Sequence, residues 1–140
     1  MNESEQYILD NIRTWVWSGF YTPEEVDDRI ADILEDDVDE EMVRSAVAPE
    51  FARKREAEAS WPARTDCDRL DDAFESLKAS GVIALHNAGY TMSDGLTEVS
   101  EALHEPGSRG ARGYCFYHEQ DVERAVSGEG LSVAFGALND

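Results

Sequence analysis

Over roughly the first 80 positions the apolar residues recur at helical spacing, and over the last 60 or so they gather into short runs that suit strands. Ile8, Ile12, Trp15 and Val16 form an i, i+4, i+7, i+8 stripe that predicts a helix from about Glu3 to Trp17, with Gly19 ending it. Thr22-Pro23-Glu24-Glu25 then offers a threonine cap, a proline at the first helical position and a glutamate at the third, the signature of a capping box. The helix it opens runs to about Glu35 and turns Val26, Ile30, Ile33 and Leu34 inward. Asp39 can cap a third helix carrying Met42, Val43, Ala46 and Val47, which Pro49 is expected to kink, or to stop so that it restarts through Phe51 to Arg55. Trp61-Pro62 closes this stretch, because the residue before a proline is pushed out of helical geometry. A fourth helix begins near Thr65 or Asp66, carries Leu70, Ala73, Phe74 and Leu77, and stops at Gly81.

Beyond Gly81 the pattern changes. Val82-Ile83-Ala84-Leu85 reads as a buried central strand, and Ser93-Asp94-Gly95 opens a helix with Leu96, Val99 and Leu103 on one face. Pro106 to Gly113 holds three glycines and predicts a mobile loop. Tyr114 to Tyr117 and Leu131 to Phe135 are strands on either side of a short helix whose inner positions are Val122, Ala125 and Val126. The fold class that follows is α+β: a helical N-terminal half packed on a small sheet of about three strands, with a β-α-β unit at the C-terminus. One domain over residues 1–140 is expected, helical to about residue 80 and α/β from about 81. The helix-bearing connection between the last two strands suits a parallel crossover.

Charge alters the picture more than size does. Thirty-one acids against 12 Lys and Arg give a net charge of −19, which repels phosphate backbones and anionic membrane surfaces. Direct nucleic-acid and membrane binding are therefore excluded as expectations, and a basic partner is the natural complement. No apolar run reaches the ~20 residues of a membrane span, and the first residues lack the positive region of a secretory leader, so a cytoplasmic location is expected. Cys67 and Cys115 have neither ribbon nor redox spacing and read as reduced thiols, Cys115 as a buried one.

The candidate chemistry is short. From Glu24 to Glu41 there are eleven acids against the single base Arg29, and nine of them, Glu24, Asp27, Asp28, Asp32, Glu35, Asp36, Asp37, Asp39 and Glu40, are the candidate partner-binding residues. The same density also suits a solvated face that keeps the chain soluble; a calcium loop is disfavoured because the central glycine and alternating ligands are missing. A second candidate is the His86–Gly95 loop, where His86 could act as a base, Asp94 as its orienter and Ser93 or Thr91 as a nucleophile, with His118 near the next strand end. A turn built on Asn87 and Gly89 with a Ser93 cap accounts for the same letters. Cys115 and His118 lie three apart, on opposite sides of a continuous strand, so no metal site and no cofactor are expected. Trp15 belongs to the core stripe and Phe20 staples the next helix, leaving Trp17 and Tyr21 as the exposed aromatic candidates.

Three pieces of the chain carry a family likeness: Trp61-Pro62 with Thr65 to Asp71 and Phe74; Gly81-Val82-Ile83-Ala84 with Asn87 and Gly89-Tyr90-Thr91; and GYCFYHEQD from Gly113 with GEGLSVAFG from Gly128. On these the sequence resembles an uncharacterised bacterial family filed as a domain of unknown function. The resemblance implies an α+β fold with His118-Glu119-Gln120-Asp121 as a strand-to-helix junction, and no established activity. The residues themselves favour a non-enzymatic acidic inhibitor of a basic partner. Its most concrete forms are a nucleic-acid mimic of the anti-CRISPR or anti-restriction type and an immunity protein for a nuclease toxin; a homo-oligomer is compatible with both. The alternative is a small enzyme or ligand-binding domain built on His86, Ser93, Asp94 and His118.

Overall fold

The computed structural model describes residues 1–138, over which the chain forms seven α-helices and three strands. Their contacts divide it into two compact units, Met1–Trp61 and Pro62–Asp140. In the first unit, α1 (Glu3–Ser18) ends at Gly19 with φ +81° and presents Ile8, Ile12, Trp15 and Val16 to the core, as their spacing predicts. The capping box at Thr22 opens α2 (Pro23–Ile33), whose Val26 and Ile30 are fully buried. It stops two residues short of Glu35 because Leu34 turns to extended geometry. Asp39 caps α3 (Glu40–Arg44), and α4 follows over Val47–Glu58. The break falls at Ser45-Ala46, ahead of Pro49, which sits in the first turn of α4, where an absent N–H removes no intrahelical bond. These helices enclose one core of Ile8, Ile12, Val16, Val26, Ile30 and Val43.

The second unit holds the sheet. α5 (Asp66–Ala79) packs on β1 (Val82–Leu85); α6 (Met92–Leu103) and a single 3-10 turn at Pro106–Ser108 lead to β2 (Gly113–Phe116); and α7 (Glu119–Val126) leads to β3 (Ala134–Ala137). The strand order is β1-β2-β3, with β1 and β2 parallel and β2 and β3 antiparallel. Two sequence expectations are corrected here. β1 is an edge strand and β2 the central one: the apolar run of β1 reflects cover on both faces, by α5 on one and α6 on the other, which needs no second neighbour. β3 returns antiparallel because the connection after β2 brings the chain back to the end of the sheet it left, setting Ala134 opposite Phe116. β3 also begins three residues later than Leu131.

The two faces of the sheet hold separate cores. Ala84, Cys115 and Tyr117 pack with Phe74 of α5 and Val122 of α7, whereas Phe116 and Ala88 pack with Val99 of α6. Sequence spacing placed Leu96 and Leu103 on the inner face of α6, but both are exposed, and Gly95 and Val99 face inward instead. A Cβ at Gly95 would stand 2.1 Å from the fully buried Phe116 ring, so only glycine lets this helix approach so closely. On α5, likewise, Phe74 is buried while Ala73 and Leu77 remain exposed.

Candidate functional site

All eleven acids from Glu24 to Glu41 are exposed. The cause is local: with Val26 and Ile30 committed to the core, the flanking positions of α2 have only solvent to face. Thr22 Oγ1 accepts from Glu25 N at 3.1 Å, and Glu25 Oε1 accepts from Thr22 N at 3.0 Å, so Glu25 serves the helix start. Asp39 Oδ1 accepts from Met42 N and caps α3. Arg44 reaches back from α3 to Asp27 Oδ1 at 2.9 Å and lies 3.6 Å from Glu40. The side chains of Glu24, Asp28, Asp32, Glu35 and Asp36 meet no hydrogen-bond or ion-pair partner among the described residues.

The loop after α2 is held in place. Asn2 Nδ2 donates to Asp37 O at 2.7 Å, Ser4 Oγ donates to Asp37 Oδ2 at 3.1 Å, and Asp39 N donates to Glu5 Oε2 at 2.9 Å. Glu5 also accepts from Asn2 N, and backbone bonds from Asn2 and then Asp39 hold its carboxyl below the usual range. A cleft of about 400 Å³ opens beside this loop between Glu3, Tyr7, Asp32 and Glu35, with Tyr7 59% exposed. The aromatic expectations shift: Trp17 is half-buried with Nε1 donating to Glu50 Oε1 at 2.7 Å, Tyr21 lies under the Arg29 guanidinium at 4.2 Å, and Phe20 is 41% exposed.

In the second unit the loops after β1 and β2 are zipped together. Ala88 N donates to Tyr117 O at 2.8 Å, Glu119 N to Gly89 O at 2.9 Å and Gln120 N to Tyr90 O at 3.1 Å. Thr91, rather than Ser93, caps α6, and Asp94 Oδ2 accepts from Thr91 N and Tyr90 N. Those bonds, the Thr91 backbone first, hold Asp94 below the ordinary carboxylate range, with the nearby His118 contributing. Ser93 is exposed in the first turn. His118 is buried, its Nε2 3.3 Å from Asp121 Oδ2, and Asp121 is in turn paired with Arg124.

His86 takes the other side of the sheet. Its Nδ1 lies 2.7 Å from Tyr117 Oη, its ring centroid 4.4 Å from that of Phe74, and its Nε2 3.4 Å from Asp71 Oδ1. Burial, then Asp71 and Cys67, push the Tyr117 phenol up to about 12. His118 instead neighbours Phe116, in the core that faces α6. The structure thus brings Asp94 near His118 but sets His86 on the opposite face from both, so the four candidate groups do not converge. Cys115, on the α5 face, is pushed up by burial and likewise does not meet His118. Among the described residues no three His, Cys, Asp or Glu side chains are grouped to hold a metal ion, and no helix is long and apolar enough to cross a membrane. Sequence reasoning missed the Asp71–His86–Tyr117 chain; its one local signal is that Asp71 lies three residues before Phe74, on the flank of the α5 core stripe.

The whole chain, residues 1–140, matches the model of the family described as Domain of unknown function (DUF6891), and the chain belongs to that family. No curated protein and no solved structure matches it.

Proposed function

We propose that this member of a family without an established activity is a protein-binding module whose Glu24–Glu41 ridge docks on a basic surface of a partner. The observation that carries the reading is the exposure of all eleven acidic residues on a segment whose loop is pinned by Asn2, Ser4 and Glu5. α2 carries five carboxylates over its eleven residues, which at about 1.5 Å rise each is one per about 3.3 Å of axis, close to the roughly 3.4 Å per charge along one DNA strand. A groove that binds a phosphate backbone would meet a comparable density of negative charge here, spread across one side of α2, and be steered by the same field. The partner is then a nucleic-acid-binding protein held in check, as by an anti-CRISPR or anti-restriction mimic, or a basic nuclease toxin held by an immunity protein. The Glu3–Tyr7–Asp32–Glu35 cleft offers a cation both carboxylates and an aromatic ring.

The test is an affinity capture from host lysate washed at low and at high salt, with the wild type beside a variant carrying Asp28→Asn, Asp32→Asn, Glu35→Gln and Asp36→Asn. These four serve no cap or ion pair, so the fold is kept. A basic partner retained at low salt, released at high salt and lost by the variant supports the reading. Equal capture by both proteins, indifferent to salt, overturns it.

A further inference from the structure

β3 ends the sheet, and the segment from Gly130 to Leu138 that contains it has no charged residue and no proline. Exposed edges are ordinarily blunted by charge, proline, a bulge or a very short strand, because their unpaired main-chain groups recruit other strands; of charge, proline and shortness, β3 has only its four-residue length. The side chains sharpen the anomaly: Phe135 is 83% exposed, with Leu131 and Val133 partly so. The cause lies in the layering. α5 covers β1 and β2 but stops short of β3, and a groove of about 430 Å³ opens between them, lined by Phe74, Leu77, Val82, Cys115, Val133 and Phe135.

We propose that β3 is a self-association edge: two copies pair β3 with β3, antiparallel about a twofold axis, extending three strands to six and covering both grooves with the two Phe135 rings. A second copy fits this strip better than any other occupant for two reasons. In antiparallel pairing about a twofold axis, odd positions oppose odd positions, so Val133 and Phe135 of both copies fall on the α5 face and meet across the junction. A basic partner finds no carboxylate here, whereas two chains of net charge −19 can approach along a strip where no like charges face each other. The size of the contact sets its strength. A four-residue strand spans about 13 Å, and with its flanks gives less than the roughly 800 Å² per partner of a stable interface, so the dimer is a weak one that forms only at high protein concentration.

The inference is independent of the acidic ridge and has the opposite salt response, so either can fail alone. Sedimentation of the full chain from about 10 to about 500 μM, in low and in roughly 0.5 M salt, should show a monomer moving to a dimer, more completely at high salt, where repulsion is screened. F135K and F135E should both stay monomeric; because they change the net charge in opposite directions, agreement between them assigns the effect to the edge. Leu96→Lys, at an exposed leucine of α6 away from the edge, should dimerise like the wild type. Amide exchange supplies a second readout: protection of Val133–Ala137 should rise with wild-type concentration. A monomer at every concentration and both salts overturns the proposal, as does a dimer that survives both Phe135 variants.

Discussion

The phenol of Tyr117 stands 2.7 Å from Nδ1 of His86, joining two residues 31 apart in the chain, and the two rings meet edge to face at 5.5 Å. Tyr117 is buried, so the bond ties the end of β1 to the end of β2 from inside the α5-facing core. Tyr117→Phe should keep the packing and lose the bond, lowering stability by about 1 kcal/mol in urea denaturation. The pH response follows from the sign of the shift. The folded-state value near 12 lies above the ordinary 10.0, so the contribution is fully present below pH 10 and disappears as pH rises towards 12. Wild-type stability should fall across that window more steeply than that of Tyr117→Phe. Identical slopes would show that Tyr117 releases its proton as readily in the folded chain as in the unfolded one.

Asp94 works at the acid end. Its carboxyl is held below 3.8 by the Thr91 and Tyr90 bonds, so its stabilising effect is present above that value and lost as pH falls through the folded-state value. Asp94→Asn should lower the urea midpoint at neutral pH, and the gap to the wild type should close below about pH 4. A gap that stays constant through the acid range would mean that ionisation of Asp94 contributes nothing.

Gly95 faces Phe116 with no room for a methyl group. Phe116 is fully buried and cannot swing aside, so Gly95→Ala should cost about 1 to 3 kcal/mol, in spite of alanine's better helix propensity. Thermal melts of this variant beside Gly107→Ala, where a Cβ meets nothing within 4 Å, separate crowding from the loss of glycine itself.

The ridge makes a prediction of its own without any partner. Eleven exposed carboxylates in 18 residues repel one another, so added salt should raise the melting temperature of the wild type. The four-residue neutralised variant should melt higher at low salt and respond less to added salt. An equal salt response in the two proteins would place the repulsion elsewhere in the chain.

Much of the helical architecture was legible because it is decided within a turn or two. Thr22 and Glu25 exchange backbone bonds three residues apart, Gly19 takes the left-handed geometry that ends α1, and Ile8, Ile12 and Val16 share a face by spacing alone. Exposure of the acids followed in the same way, from the commitment of Val26 and Ile30 to the core. Pro49 was read less well, since its effect depends on where in a helix it falls: inside the first turn of α4 it interrupts nothing.

The sequence by itself determined the α+β class, the helix starts and the acidic face, since each rests on periodicity or on backbone groups satisfied by near neighbours. Only the tertiary structure decided that β1 is an edge, that β3 runs antiparallel, that Phe135 stands uncovered and that His86 and His118 lie on opposite faces. An apolar run looks the same in a strand with one neighbour or two, provided helices cover both faces. Which strands pair, and which side chains then meet across tens of residues, depends on closing long loops and on matching whole faces, and no local stretch of this chain encodes that.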